Sequence, residues 1–400
     1  MNTKFFFANN SLISEATIFF VMMIILSLVV LAYSPLVGYY VPLMILLIPM
    51  LGNRFLRVPL IMISITGLSY MAASRNIVSA DGSDFEMYYR IYNDILKGGG
   101  IFVPEFSGGI EFLLPFIFKV ITTAFGSLSR EQLLFGIVFI QLFLIVLWLE
   151  IFGTRKLQPS EKTLCIVATI GILSVFTLSQ ALRQSFATVV ALYALTAYFS
   201  KKRFVFFTLY IVSSLFHLTS LIVIPLYIVF YRGKKISYIV LVIMILMGSV
   251  FSILLPFILS HNLLGAATYK LGYYTVTSAH GWDFSTYFKF LIITLCLSCF
   301  FSSKENSNIN RFTWFTCVVY LALMPIPLAS DRFLLLTSSV LSGYLLFFSS
   351  YKIQSVLRLM LLSLFIFKIL SLGVNYVPGP PLNYWYFYDW AGDTPLYYIR

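Results

Sequence analysis

The sequence predicts an all-α polytopic membrane protein with about 13 transmembrane helices and one further interfacial or re-entrant helix. Hydrophobic residues make up 60% of the 400 residues, charged residues make up 10%, and the mean hydropathy is +0.92. Soluble domains of this size do not have this composition. We therefore expect residues 1–400 to form a single integral membrane domain.

Apolar runs that could each cross or enter a bilayer recur along the whole chain, at residues 15–33, 36–52, 58–73, 132–152, 163–180, 183–200, 204–217, 218–231, 236–259, 286–303, 312–328, 333–350 and 354–374. A full crossing needs about 20 apolar residues. The runs 204–217 and 218–231 are shorter than this. We therefore expect them to form a bent, partly buried hairpin that does not cross at full thickness.

Basic residues lie in short clusters between these runs, and cytoplasmic loops carry an excess of lysine and arginine. This rule predicts that the N-terminus lies inside and the C-terminus outside. The residues predicted to face the cytoplasm are Arg54, Arg57, Arg155, Lys156, Lys162, Lys201, Lys202, Arg203, Arg232, Lys234, Lys235, Lys304, Arg311 and Lys352. The formal net charge of +12 thus reflects membrane orientation, and we expect no nucleic acid partner.

Two apolar segments need separate interpretation. The first carries Lys4 and no small-residue cleavage site, so we interpret it as an uncleaved first helix rather than a signal peptide. Segment 110–126 is short and contains Pro115 and Lys119. A crossing there would move the basic loop 153–162 outside, so we expect an interfacial or re-entrant helix on the outer face.

The cysteines lie in apolar runs without metal-site spacing and are predicted to be reduced core residues: Cys165, Cys296, Cys299 and Cys317.

The predicted outer segments are the loop 76–130, the loop 260–284 and an aromatic tail at 375–400. Six acids lie within residues 76–111: Asp81, Asp84, Glu86, Asp94, Glu105 and Glu111. Tyr88 and other tyrosines are interleaved with them, and Arg75 and Arg90 are close in sequence. Aromatic faces beside carboxylates suit a sugar, whose ring packs on the aromatic while its hydroxyls donate to the acids. A solvated acidic loop with an interfacial aromatic belt is the alternative interpretation.

Ionisable residues at the predicted outer ends of spans are candidate functional residues, because charge at membrane depth is costly. Arg183 precedes Gln184 at one turn, His217 lies at the tip of the next hairpin, and Arg332 follows Asp331 near a later one. Asp331 is a candidate partner for Arg332, whereas the sequence has no acid adjacent to Arg183. A lipid pyrophosphate would suit Arg183, since a guanidinium binds phosphate oxygens bidentately.

The run SQALRQSFATVVALYALTAYFSKKRFVFFTLYIVSSLFHLTS resembles the RQ-x-x-A…KK…FH-x-(S/T)-(A/S) signature of Wzy-type O-antigen and exopolysaccharide repeat-unit polymerases, in the EpsG-like branch. Weaker resemblances lie around Asp84–Tyr88, at Gly109–Phe112 and at Ser330–Phe333. Glu111 is followed by Phe112 rather than by the family's proline. The residues that match the signature are Arg183, Gln184, Ala187, Lys201, Lys202, Phe216, His217, Thr219 and Ser220.

The resemblance implies a GT-C-like architecture and an inverting glycosyl transfer, independent of metal and cofactor, on the periplasmic face of the bacterial inner membrane. An undecaprenyl-pyrophosphate-linked oligosaccharide would be the donor, and the non-reducing sugar of another lipid-linked unit would be the acceptor. A chain-length regulator protein is a candidate partner. Arg183 and Arg332 would meet the charge of the leaving pyrophosphate, and His217 would accept the acceptor's proton. Asp84 and Glu111 are rival bases, and the other candidate substrate-binding residues are Arg75, Tyr88, Arg90, Gln184 and Asp331.

Three alternatives remain open from the sequence. An O-antigen ligase would use the same chemistry with a lipid A core acceptor, and a large late outer domain would favour it. A lipid-linked oligosaccharide flippase or other transporter would show two-fold internal repeats. A metal-dependent lipid-sugar glycosyltransferase would use Asp81 and Asp84 as ligands and would be sensitive to chelators.

Overall fold

The computed structural model of the protein describes residues 4–75, 84–233, 235–261, 286–303, 306–324, 329–377 and 384–399. Helices make up most of this part of the chain, and no β-strand occurs within it, which confirms the all-α prediction. In chain order, the first α-helices are α1 (Lys4–Tyr33), α2 (Pro35–Leu46), α3 (Arg54–Ser74), α4 (Asp84–Leu96), α5 (Leu113–Phe125), α6 (Arg130–Trp148), α7 (Pro159–Ile172), α8 (Val175–Gln180) and α9 (Leu182–Phe199).

The remaining α-helices are α10 (Arg203–Phe216), α11 (Ser220–Arg232), α12 (Lys235–Ser260), α13 (Thr286–Phe301), α14 (Ser307–Leu323), α15 (Ala329–Phe333), α16 (Ser342–Ser349) and α17 (Gln354–Ile369). A π-helical turn extends α6 over Leu149–Gly153, and another lies at Leu336–Val340. Helix α9 packs against α10, and α3 packs against both α2 and α6.

A buried ion-pair cluster marks one end of the bundle. Arg57, near the start of α3, donates from Nε to Glu150 at 2.7 Å, and Lys162 lies 2.8 Å from the same carboxylate. Glu150 follows the end of α6, so α3 and α6 run antiparallel. Arg57 and Lys162 therefore share one end of the bundle, as the positive-inside pattern predicts for residues on a common side of the membrane.

The aromatic tail covers the opposite end. Ser74, the last residue of α3, donates from Oγ to the carbonyl of Tyr388 at 2.9 Å, and the N–H of Gly392 donates to the carbonyl of Tyr33 at 3.0 Å. Arg130, at the start of α6, pairs with Glu86 of α4 and lies 5.7 Å from the ring of Phe387. The tail and α4 therefore meet at one end of the bundle, away from Arg57.

Within the described residues, three helices are long and apolar enough to cross a membrane: Arg54–Ser74, Arg130–Gly153 and Tyr351–Val374. Shorter apolar helices lie among them, including α5, α10 and α11. The presence of these apolar helices indicates that the chain is a membrane protein. The count of about 13 spans and the GT-C-like architecture stay predictions.

Three of the apolar helices are short compared with the thickness of a membrane. Helices α5 and α11 contain 13 residues each and α10 contains 14, so each is about 20 Å long. This is shorter than the hydrocarbon core of about 30 Å. The membrane placement of these helices, interfacial or re-entrant for α5 and partly buried for the hairpin, stays a prediction.

The cysteine prediction was wrong for two residues. Cys165 and Cys317 are buried, but Cys296 and Cys299 of α13 are exposed, and all four are free thiols. The error arises because an apolar run in a membrane protein can face lipid as well as the core. Of the predicted loop at 260–284, residues 262–284 lie outside the described part of the chain.

Candidate active site where α4, α9 and the α10–α11 turn meet

A tight left-handed turn before α5 places Glu111. Ser107, Gly108 and Gly109 have φ values of 54°, 67° and 90°, in a region that residues with a Cβ atom rarely adopt. The N–H of Glu111 donates to the carbonyl of Phe106 at 3.3 Å and closes the turn. The side chain of Glu111 therefore enters the bundle, where it is 1% exposed.

The Glu111 carboxylate joins α9 to the tip of the α10–α11 hairpin. Its Oε1 lies 2.8 Å from Nδ1 of His217 and accepts the N–H of Leu218 at 2.9 Å. Its Oε2 pairs with a terminal guanidinium nitrogen of Arg183. Both carboxylate oxygens are thus occupied by N–H donors. A buried carboxylate needs this degree of satisfaction to stay charged.

The hydrogen bonds at this site set the charge of Glu111. Burial on its own would raise the pKa of this carboxyl, but the N–H donors of His217 and Leu218, the charge of His217 and the charge of Arg183 outweigh burial. The pKa is lowered to about 2. Glu111 is consequently an anion at neutral pH.

Arg183 lies in the first turn of α9, against two aromatic rings. Its Nε donates to the hydroxyl of Tyr88 at 3.4 Å, and its Cζ lies 4.1 Å from the ring centroid of Phe106. Burial raises the pKa of Tyr88 above its ordinary value, so its hydroxyl stays protonated. The ion pair with Glu111 balances the positive charge of Arg183, and 19% of the Arg183 side chain is exposed.

Arg332, on the short helix α15, is held by the residue next to Arg183. A terminal nitrogen of Arg332 donates to Oε1 of Gln184 at 3.0 Å, while the amide of Gln184 donates to the carbonyl of Arg332. Asp84 of α4 lies 4.0 Å away, and the two side chains are 36% and 49% exposed. Arg332 is therefore the more accessible of the two arginines.

These contacts form a continuous ring of side chains. Arg183 and Gln184 are neighbours on α9, while Asp84 and Tyr88 are separated by one turn of α4. Arg332 bridges Gln184 and Asp84, and Arg183 reaches Tyr88. A small cavity beside Gln184 and Arg332 is also lined by Thr219 and Ser220 of the turn that carries His217. The structure thus gathers the predicted residues Asp84, Tyr88, Glu111, Arg183, Gln184, His217 and Arg332.

The other predicted site residues lie elsewhere or are not described. Arg75 is buried under the tail, with its Cζ 5.1 Å from the ring centroid of Tyr384. Arg90 is 64% exposed and lies 3.8 Å from Glu105. The side chain of Asp331 lies outside the described part of the structure, so its predicted pairing with Arg332 stays a prediction.

No group of three His, Cys, Asp or Glu side chains that could hold a metal ion occurs among the described residues. Asp81, the proposed partner of Asp84 in the metal-dependent alternative, lies outside them. The charged and titratable groups in the cluster are two guanidinium groups, an imidazole, the buried carboxylate of Glu111 and the half-exposed carboxylate of Asp84. Such a set can bind an anion and accept a proton.

Comparison with known proteins places the chain in a family. The model of the EpsG family matches residues 58–390. The chain belongs to the EpsG family. This match includes the entire side-chain cluster and confirms the family resemblance inferred from the sequence. No curated protein matches the chain, and no solved structure matches it. EpsG membership indicates a membrane protein with an exopolysaccharide or O-antigen polymerase-type function, hence a polymerase-type glycosyltransferase.

Proposed function

We propose that this EpsG-family protein polymerises undecaprenyl-pyrophosphate-linked oligosaccharide repeat units on the periplasmic face of the bacterial inner membrane. The observation that carries the proposal is the grouping of Arg332, Arg183 and His217 at one end of the bundle. The leaving group of this reaction is an anionic lipid pyrophosphate, and the attacking sugar hydroxyl must lose a proton. Fixed cations and a proton acceptor in one place meet both requirements.

Arg332 is the main pyrophosphate ligand in this proposal. Its guanidinium is partly exposed, is held by a neutral amide and has only Asp84, at 4.0 Å, as an acidic neighbour among the described residues. Arg183 differs because Glu111 already balances its charge. A guanidinium has five N–H donors, so Arg183 can still donate to the pyrophosphate without supplying a full net charge.

The proposed step is a direct displacement. The acceptor hydroxyl oxygen forms a bond to the anomeric carbon of the donor sugar as the bond from that carbon to the pyrophosphate oxygen breaks. The bonding electron pair leaves with the pyrophosphate, and the hydroxyl proton passes to His217. One displacement inverts the anomeric configuration. The growing glycan moves from its own lipid to the acceptor unit, so it lengthens at its reducing end.

Deletion of the gene in a host that makes the polymer tests the function. A polymerase deletion should leave surface lipid that carries a single repeat unit, and plasmid-borne wild-type protein should restore the ladder of longer chains. Loss of all attached glycan would instead indicate a ligase. Accumulation of lipid-linked units on the cytoplasmic side would indicate a flippase. Either of these results would overturn the proposal.

Purified protein provides a second test. Lipid-linked repeat units extracted from the deletion host serve as both donor and acceptor, and the wild-type protein should convert them to longer chains in detergent. Conversion should continue in the presence of a chelator. Activity that stops with chelator and returns with a divalent cation would replace the metal-independent mechanism with a metal-dependent one.

A further inference from the structure

We infer that Glu111 is the positioning residue of this site, holding His217 with Nδ1 protonated and with Nε2 as its proton-accepting atom. The inference rests on the proposed function, because it assigns the reacting atom of the proposed base. It also removes Glu111 from the set of rival bases. Glu111, His217 and the backbone of Leu218 make the contacts that define this arrangement.

The tautomer of His217 follows from its partner. An ionised carboxylate has no proton to donate, so the 2.8 Å contact between Oε1 of Glu111 and Nδ1 of His217 is a hydrogen bond only if Nδ1 carries the hydrogen. In a neutral imidazole the other nitrogen, Nε2, then has the free lone pair. Nε2 has no hydrogen-bond partner among the described residues, and 22% of the side chain is exposed. The lone pair is therefore available to a substrate hydroxyl.

The position of the ring is fixed by the same carboxylate. Oε1 of Glu111 accepts the backbone N–H of Leu218 at 2.9 Å, so one oxygen binds both the imidazole and the next peptide group. Ser220 donates its N–H to the carbonyl of His217 at 3.0 Å and closes the turn. A base held in one rotamer and one tautomer loses less orientational freedom on reaching the transition state.

Glu111 itself is poorly placed to accept a proton from a sugar. Its side chain is 1% exposed, and Arg183, His217 and Leu218 occupy its oxygens. The depressed pKa of about 2 also makes it a weak base at neutral pH. After proton transfer, its negative charge lies beside the imidazolium and stabilises it, as a carboxylate does behind a catalytic histidine.

Kinetics of the purified full-length protein test this assignment, with the lipid-linked repeat units as substrate. Glu111→Gln should lower kcat by no more than His217→Gln does, roughly 10²–10⁴-fold. The KM for the repeat unit should not rise, because Arg183 loses the carboxylate that balances its charge. Glu105→Gln is the matched control, since Glu105 lies in the same loop and is 52% exposed. A raised KM with unchanged kcat would overturn the inference and make Glu111 a substrate ligand.

A double variant separates positioning from a general structural effect. If Glu111 acts through His217, adding Glu111→Gln to His217→Gln should cause no further loss of kcat, because the group it positions is already gone. Losses that multiply would contradict the inference. If wild-type protein makes polymer but Glu111→Gln is fully active, only this inference fails. If wild-type protein makes none, the proposed function fails.

A spectroscopic readout is independent of turnover. The chain has 3 histidines, so replacing His261 and His280 by glutamine leaves His217 as the single ¹⁵N-histidine signal. At pH 8 its Nδ1 should carry the proton and its Nε2 should not, and Glu111→Ala should shift the population toward the other tautomer. A protonated Nε2 with a free Nδ1 in the wild-type background would overturn the assignment.

Discussion

Gln184 binds Arg332 at two points, through its side-chain oxygen to the guanidinium and through its side-chain nitrogen to the backbone carbonyl. The two residues are 148 positions apart, and this contact fixes α15 against α9. The side chain of Gln184 is buried among these groups, with 4% of the residue exposed. Arg183 therefore contacts Glu111 and Tyr88, while the adjacent Gln184 contacts Arg332.

Gln184→Ala should weaken donor binding more than it slows the chemical step. Removing the amide frees the guanidinium of Arg332 to adopt other rotamers. Donor binding should weaken by about 1 kcal/mol, which raises KM roughly five-fold. Steady-state kinetics with the purified lipid-linked repeat unit would measure it. Gln354→Ala is the control, because that amide donates to Glu161 at 3.2 Å, away from the cluster. An unchanged KM in Gln184→Ala would show that Arg332 does not need this support.

Asp84→Asn should strengthen donor binding by up to about five-fold, since a half-exposed ion pair is worth about 0–1 kcal/mol. Asp84 lies 4.0 Å from Arg332 and competes with the pyrophosphate for that cation. The KM of the repeat unit would report the change, with Asp94→Asn, an exposed carboxylate of the same helix, as the comparison. Loss of turnover in Asp84→Asn would instead assign Asp84 a direct role in the reaction.

Arg183→Ala should abolish polymer and also destabilise the protein by about 1–3 kcal/mol, because it leaves the buried Glu111 carboxylate without its cation. Arg183→Lys should rescue polymer poorly, because an ammonium lacks the fork of the guanidinium. In the double variant Arg183→Ala/Glu111→Ala, thermal stability in detergent should recover while polymer stays absent. Equal stability of Arg183→Ala and wild type would show that this ion pair contributes nothing to the fold.

The sequence predicted the polar members of the cluster but not how they pair. Arg183 and Arg332 stand out because isolated cations at the ends of apolar spans are costly, and His217 because it lies at a hairpin tip. The carboxylate that balances Arg183 is 72 residues away in sequence. No local sequence pattern identifies Glu111 as the partner of Arg183, although two adjacent glycines just before Glu111 indicate an unusual turn.

Other parts of the prediction depended on side-chain environment, which periodicity alone does not report. Arg75 and Arg90 are close to the acidic loop in sequence, yet Arg75 packs against the ring of Tyr384, and Arg90 is mostly exposed. Helices α10 and α13 show the same limit, since an apolar residue there can face either a neighbouring helix or lipid. The all-α class followed directly from composition, because no other backbone arrangement would use so many long apolar runs.

Acid should remove the stabilising effect of Glu111 in a defined range. The folded pKa of about 2 is below the ordinary value of 4.5, so the carboxylate's contribution is complete above pH 4.5 and is lost as the pH falls toward 2. The difference in Tm between wild type and Glu111→Gln should therefore shrink as the pH falls from about 4.5 toward 2. A Tm difference that already shrinks as the pH is lowered from 7 to 5 would contradict the low pKa of Glu111. Glu105→Gln should match wild type in Tm throughout.

The tail and the Glu111 turn lie at one end of the bundle, and the Arg57 cluster lies at the other. The positive-inside rule predicts that the first end faces the periplasm. Ser107 and Thr394 are exposed at this end, whereas Lys156 is exposed near Glu150 at the other. Single cysteines at these three positions can therefore report the orientation, once the native thiols are replaced. This replacement is necessary because Cys296 and Cys299 are exposed.

An impermeant maleimide should label Ser107→Cys and Thr394→Cys in cells whose outer membrane alone has been permeabilised. Lys156→Cys should react only after the inner membrane is lysed, because the reagent cannot cross an intact bilayer. Polymer formation by each variant serves as the control for folding. Labelling of Lys156→Cys in intact inner membranes, with Ser107→Cys and Thr394→Cys protected, would invert the orientation. It would place Arg332 and His217 on the cytoplasmic side, where a periplasmic polymerisation reaction could not use them.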